Sequence, residues 1–342
     1  MAKTKVSIND IASKLNVSKT TVSFILNGKA KEKRISEKLV ARVLKKVEEL
    51  GYQPNQFAKG LRTGRTNIIG LMVEDISNPF FASIAKEIEE KAYQNHYKIV
   101  YCSTENDRER ARDFLTMFST LGVDGCIIAP TMGMEEDIRK LVDHGMDVVL
   151  FDRKFRNMSA DVVMVNNEEG IYSAVTHLVE NGYRNIAFVA LALGKPEKEE
   201  RILGFKEAIA DNGLESHVFP LTFKPHYQDY VTEISDIIKD NENFDAIIFG
   251  TNYLGISGLE AIRDLGLKIP DDLAIVSFDD HDLFRIHNPS ITVIAQPIEE
   301  ISQTVIKTLL DRLQNVEEQK VKKAITLSTN LIIRESTQTK QP

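Results

Sequence analysis

Between residues 7 and 50 the apolar positions recur every three or four residues in three short bursts. The first, Ile8, Ile11, Ala12 and Leu15, marks one face of a helix, with Ser7 as its cap and Asp10 completing a capping box. Asn16 supplies a turn, Val17 fills the angle between helices, and Ser18 caps a second helix. Val22, Ile25 and Leu26 face inward from that helix, leaving Lys19, Thr20, Ser23 and Phe24 outward, and Asn27-Gly28 stops it. A third helix is predicted over Ser36 to Leu50, with Val40, Val43, Leu44, Val47 and Leu50 on one side. Gly51 ends it and Pro54 blocks any continuation. Three helices around one core predict a small head over residues 1–53. The following stretch, 54–65, is basic and short, and Gly60 within it costs about 1 kcal/mol relative to Ala. It reads as a linker, or as a helix that forms only against a surface.

From Asn67 onward the pattern changes to short apolar runs between amphipathic stretches. Strand-like runs include Ile68–Val73, Lys98–Cys102, Gly125–Ala129, Val148–Phe151, Ile186–Leu191, Ala246–Gly250 and Leu273–Phe278. Helical stretches such as Pro79–Asn95 and Gly170–Asn181 fall between them. This rhythm predicts an α/β core of parallel sheets flanked by helices, with a ligand at the carboxyl ends of the strands. Those ends carry Glu74-Asp75 with Asn78-Pro79-Phe80-Phe81, then Ala129-Pro130-Thr131, Asp152-Arg153, Asn252 and Asp279-Asp280. Carboxylates, an amide and an arginine with an aromatic wall suit a polyhydroxylated ligand.

Charge divides the chain at the same place. Residues 1–66 hold 15 Lys/Arg and 5 Asp/Glu, a net of +10, while the remainder holds 28 and 45, a net of −17. A basic head on an acidic body points to phosphate binding by the head alone. Cys102 and Cys126 both lie in strand-like runs, which favours buried thiols over a disulfide and a reducing cytoplasm. No signal peptide is visible ahead of the first capped helix, and no apolar run is long enough to span a bilayer. A cytoplasmic protein is expected.

The words NDIASKLNVSKTTVS, ILNGK, RIS, ELGYQPN and KGLRTGRTNIIG stand in order from the first helix into the first strand. NPFFASIAKEIEE, DGCIIAP, FDR, ERILGF, LGLKIPDDLAIVSFDD and LIIRES continue through the core. In this order and spacing the chain resembles the lactose/galactose repressor (LacI/GalR) family of transcription regulators. The resemblance implies a helix-turn-helix head (1–53), a hinge (54–65) and a two-lobed core like periplasmic binding proteins (66–342). Its N-lobe would span about 66–165 and 295–326, and its C-lobe about 166–294 and 327–337.

The family's base-reading positions are here Lys19 and Thr20. Lys19 can donate to guanine, and Thr20 can bond or offer its methyl. Phe24 departs from an arginine common among relatives. It packs on a thymine methyl, or folds back onto the head's own core. Ser7, Ser18, Ser23 and Asn27 suit phosphate contacts. Leu61 matches a hinge leucine that wedges into the minor groove, and Ala58 would let paired hinges approach. The resemblance places effector contacts at Asp152, Arg201, Asn252 and Asp279, with Phe80 or Phe81 as lid or stacking residue. Asp280 and Arg153 are read as strand-end caps or salt bridges. Tyr253 stands where relatives often carry Asp, and Asn166-Asn167 replaces a common Asp-Asn.

The expected function is a regulator, a repressor in its usual form, whose grip on a palindromic double-stranded operator is switched by a sugar or sugar derivative. Operator pairing implies a homodimer. No cofactor, metal, membrane or catalytic residue is expected. Asp279-Asp280-His281-Asp282 and His226 beside Tyr227 match no metal or catalytic motif. A sugar-transport protein and an effector-free architectural protein are the other readings of these features.

Overall fold

The computed structural model describes residues 6–52, 65–153, 155, 158, 160–192, 194, 199–224, 226–314 and 321–339. Ala58 and Leu61, and with them the hinge roles, lie outside the described residues. The chain divides into two compact units, residues 1–66 and 67–342.

The first unit contains α1 (Ile8–Leu15), α2 (Lys19–Leu26) and α3 (Glu37–Glu49). Ser7 and Asp10 form the capping box that starts α1, each side chain accepting the other's backbone N–H. Asn16, at φ 54°, turns the chain, and the Ser18 hydroxyl accepts from Thr21 N–H at 3.0 Å to open α2. Ile11, Ala12, Val22, Ile25 and Val43 are buried at the shared centre, with Ile8, Leu15, Val17, Leu26 and Leu39 packed around them. Leu44 is the exception to the expected face. It is 49 % exposed, because it lies one step of about 100° around the helix from Val43.

In the second unit, β1 (Ile68–Val73), α4 (Pro79–Gln94), β2 (Lys98–Ser103), α5 (Arg108–Leu121), β3 (Gly125–Ile128), α6 (Glu135–Asp143), β4 (Asp147–Phe151) and β5 (Asp161–Val165) follow in alternation. Then come α7 (Asn167–Glu180), β6 (Ile186–Leu191), α8 (Glu200–Asp211), β7 (His217–Leu221), α9 (Asp229–Asp240), β8 (Ala246–Phe249), α10 (Asn252–Leu265) and β9 (Ala274–Phe278). The chain ends through α11 (Asp282–Ile286), β10 (Thr292–Ala295), α12 (Ile298–Gln314), β11 (Ala324–Leu327), β12 (Asn330–Ile332) and a 3₁₀ turn at Glu335–Thr337.

Two six-stranded sheets result, ordered β11-β5-β4-β3-β1-β2 in the N-lobe and β12-β10-β9-β8-β6-β7 in the C-lobe. All pairs are parallel except β12 against β10. In the N-lobe, α4 and α12 cover one face of the sheet and α5 and α6 the other. In the C-lobe, α7 and α8 cover one face, and α9, α10 and α11 the other. Burial on both faces explains why β1 and β6 read as unbroken apolar runs rather than alternating ones. The strands not picked out from the sequence include β7, whose His217 and Pro220 interrupt its apolar character, and the three-residue edge strand β12.

The chain passes between the sheets three times, from β5 to α7, from β10 to α12, and from β11 to β12. Asn166 ties two crossings together, its side-chain oxygen accepting from the Thr329 N–H at 2.7 Å and the Thr329 hydroxyl at 3.1 Å.

Candidate functional site

In the head, Lys19 and Thr20 stand exposed at the start of α2. Phe24 is half-buried and lies outside the head's apolar cluster, with Lys33 Nζ 5.5 Å from its ring centroid. Its ring therefore does not close the core, and its partner here is a cation. Ser23 and Asn27 bond to one another, the Asn27 amide donating to the Ser23 carbonyl at 2.6 Å and to its hydroxyl at 3.3 Å. Ser7 and Ser18 are spent on helix caps: Ser7 Oγ donates to Asp10 at 2.7 Å, and Ser18 Oγ lies 2.8 Å from Thr21 Oγ1. Both remain at helix N-termini, where backbone N–H groups and the helix dipole favour an anion.

In the core, the carboxyl ends of the two sheets bring the strand-end residues together. Asn78, which caps α4 from the N-lobe, meets Asn252 at the start of α10 in the C-lobe. Asn252 Nδ2 donates to Asn78 Oδ1 at 3.0 Å, and Asn78 Nδ2 faces Asn252 Oδ1 at 3.4 Å. Asp152 follows β4 at φ 67°, and Asp279 follows β9 at φ 65°. Each comes directly after a buried phenylalanine, Phe151 or Phe278. A left-handed backbone is costly for most residues and tolerated by Asp, so the two lobes use the same turn to present a carboxylate.

Arg201 acts electrostatically on both carboxylates. Its Nε donates to Asn167 Oδ1 at 2.9 Å, its Nη1 to the Gly250 carbonyl at 2.6 Å, and its guanidinium covers the Phe278 ring at 3.6 Å from the centroid. Gly204 makes this position possible. A Cβ there would fall 2.2 Å from the Glu168 carbonyl oxygen, so only glycine lets α8 approach α7 closely enough for Arg201 to reach Asn167. Burial pushes the Asp152 carboxyl above its ordinary range, opposed by Arg153 and then Arg201. Burial raises Asp279 likewise, opposed by Arg201 and by the Gln296 amide, which donates at 2.6 Å. Burial also raises Glu199, with Arg153 and Arg201 opposing.

Arg153 donates to Glu74 Oε2 at 2.6 Å and to Asn106 Oδ1 at 2.9 Å, which makes it a cleft ion pair. Asp280 is held by Arg334 through two bonds of 2.9 and 2.7 Å. Tyr253 stacks on Tyr230 with centroids 5.9 Å apart. Burial, then the Glu74 charge, lifts its phenol well above the usual value.

Phe80 and Phe81 require a correction. They are 5 % and 4 % exposed and pack edge to face in the N-lobe core, Phe81 also against Phe151. With Asn78 and Pro79 starting α4, positions 80, 81, 84, 85 and 88 fall on the sheet-facing side. Neither ring stands free as a lid. The sequence reading placed Glu74 and Asn78 among the polar strand-end residues and noted Asn167 as a departure from relatives, but assigned none of them an effector contact, and it did not name Gln296. Asn78 had a local signal, a cap beside Pro79 just past a strand, but its partner lies 174 residues away.

Cys102 and Cys126 are free and buried, and burial raises their thiols to about 11 and about 12. Among the described residues no group of His, Cys, Asp and Glu could hold a metal, and no helix is long and apolar enough to cross a membrane.

A helix-turn-helix head joined to a two-lobed core with polar residues gathered between the lobes defines a ligand-responsive DNA-binding protein. Residues 7–55 match the bacterial regulatory proteins of the lacI family, and residues 175–337 match a periplasmic binding protein-like domain. The transcriptional repressor PurR of Vibrio campbellii is 30% identical over 320 residues, covering 92% of this chain and 94% of its own. The transcriptional regulator DegA of Bacillus subtilis is 30% identical over 339 residues, covering 97% and 98%. The chain belongs to the lacI family and is a DNA-binding transcriptional regulator with a small-molecule effector.

A LacI family regulator from Enterococcus faecium, solved with bound ribose, is 27% identical with a TM-score of 0.71, covering 80% of this chain and 100% of that one. The lac repressor dimer bound to operator shares the fold, with a TM-score of 0.81 at 22% identity, covering 98% and 100%.

Proposed function

We propose that the chain is a repressor that binds a palindromic operator as a homodimer and is switched by a sugar or sugar derivative held between the core lobes. Residues 1–53 form the head, 54–65 the hinge and 66–342 the core. Lys19, Thr20 and Phe24 read bases, Ser7, Ser18, Ser23 and Asn27 steady the backbone, and Ala58 and Leu61 serve the minor groove. Asp152, Arg201, Asn252 and Asp279 contact the effector. The protein acts in the cytoplasm, where its operator is, and carries no catalytic step.

The observation that carries the effector reading is Arg201, a guanidinium backed by an aromatic ring and facing one desolvated aspartate from each lobe. Such a cluster offers acceptors from both sides and donors from one point, the pattern a polyol requires. A ligand bonded to both lobes binds the closed form better than the open one, and this difference is what shifts the population. The test is a thermal-shift screen with ribose, cellobiose and related sugars, followed by operator titration in the wild type and in Arg201→Ala. The variant is expected to keep operator affinity and lose both the stabilisation and the response. A normal response would move the effector site elsewhere.

A further inference from the structure

We propose that Asn78 is a positioning residue of the effector cleft: its amide clasps Asn252 across the two lobes, holding the ligand-free lobes together and fixing which ends of the Asn252 amide remain for a ligand. The second part rests on the effector reading above; the first does not.

Asn252 is 1 % exposed, and its side chain is buried at the point where α10 begins. A buried primary amide must find partners for two donors and an acceptor, and it cannot turn without losing them. Asn78 meets this need with both atoms, accepting from Asn252 Nδ2 at 3.0 Å and offering Nδ2 to Oδ1 at 3.4 Å. One N–H and one lone pair of Asn252 then stay available, on known sides.

Asn78 is itself fixed from its own lobe. Its Oδ1 accepts the Phe80 N–H at 3.0 Å as the cap of α4, and Pro79 and the buried Phe80 and Phe81 set where that helix starts. The clasp thus links a rigid helix start in one lobe to a rigid helix start in the other. Separating the lobes breaks both amide contacts at once, and the Asn252 amide is then free to turn.

The cap and the clasp are separable by mutation. Asn78→Ser retains a good cap residue but is too short to reach Asn252. Asn78→Asp retains the cap and the acceptor for Asn252 Nδ2 but has no donor for Oδ1. Asn252→Ser removes the clasp from the other side.

The experiment places spin labels at Glu136→Cys and Glu207→Cys, both exposed, one in each lobe. Distances are measured by double electron–electron resonance in the ligand-free full chain, diluted with unlabelled protein so that only pairs within one protomer report. Helical circular dichroism of each variant confirms folding. Asn78→Ser should add a longer-distance population, with the closed-to-open ratio falling at least about five-fold, the factor for one lost hydrogen bond of ordinary strength, since the 3.0 Å contact is lost together with the longer 3.4 Å one. Asn78→Asp should fall between it and the wild type. The Asn78→Ser/Asn252→Ser double variant should open no further than either single variant, because both remove the same contact.

An unchanged distance distribution in Asn78→Ser would overturn the proposal, as would full additivity in the double variant. If the distances shift as expected while ribose and cellobiose stabilise no variant and not the wild type, the clasp stands and the sugar reading of the cleft fails instead.

Discussion

In the head, Lys19 and Thr20, assigned to DNA, stand in solvent, and the caps Ser7 and Ser18 bond to near neighbours in sequence. In the core, the side chains assigned to the effector are buried or half-buried and face partners across the cleft, and two of them, Asp152 and Asp279, sit on left-handed turns. Lys19 and Thr20 are exposed, and the caps at Ser7 and Ser18 are completed within three residues. Asp152, Arg201 and Asp279 depend on one another across the cleft, and Asn252 depends on Asn78. A reading surface must meet many DNA sequences and so is built from free side chains on a small rigid frame. A switch must distinguish two arrangements of itself, and buried polar groups with long-range partners make the wrong arrangement costly.

The largest effect should come from the buried ion pair beneath the N-lobe sheet. Asp161 takes two bonds from Arg312, at 2.9 and 2.8 Å, and both side chains are almost fully buried. Asp161→Ala removes both of these bonds from the buried guanidinium and should cost about 3–5 kcal/mol. Urea unfolding of the core measures it; a loss below about 1 kcal/mol would remove the contrast drawn between the two units.

This contrast also explains what could be read from the sequence. Helix caps, the turn at Asn16 and the outward face of α2 depend on spacings of three and four, so Ser7, Ser18, Lys19 and Thr20 were legible. Doubly buried strands such as β1 and β6 were legible as unbroken apolar runs. Leu44 was misplaced because a single step around a helix separates core from solvent. Phe80 and Phe81 were misplaced because a strand-end aromatic can point to the cleft or to the sheet, and only the packing of α4 decides. Nothing local links Asn78 to Asn252 or Asn167 to Arg201; those contacts exist only once both lobes and the close approach at Gly204 are in place.

Next in size is Lys19→Ala, expected to remove about 1–3 kcal/mol of discrimination at one operator base pair. Competition binding with single-base operator variants tests it, and an equal loss on all sequences would reduce Lys19 to a phosphate contact. Ser18→Ala separates cap from contact within the head. As a cap it should cost about 1 kcal/mol in head stability, and because its hydroxyl is neutral the salt slope of DNA binding should stay unchanged. Unchanged head stability would reassign it.

The smallest effect concerns His177, whose Nε2 lies 2.8 Å from Thr337 Oγ1 and anchors the C-terminal turn. Burial lowers its pKa from the ordinary 6.5, so the unfolded chain takes up its proton first as pH falls. The stability it contributes is complete above 6.5 and is lost as pH falls through its lower folded value. Proteolysis of the C-terminal segment against pH should show this loss, and His177→Gln should flatten it; a profile unchanged by the variant would place the titration elsewhere.

The most direct test of the division between a reading head and a switching core is one set of operator titrations. A duplex selected from random DNA by the full chain is titrated with and without the sugar that best stabilises the protein, in wild type, Lys19→Ala and Arg201→Ala. The wild type should change affinity with the sugar. Lys19→Ala should lose specific binding while still being stabilised by the sugar, and Arg201→Ala should bind the operator normally and ignore the sugar. An Arg201→Ala protein that responds like the wild type, or a Lys19→Ala protein with undiminished specificity, would contradict the account.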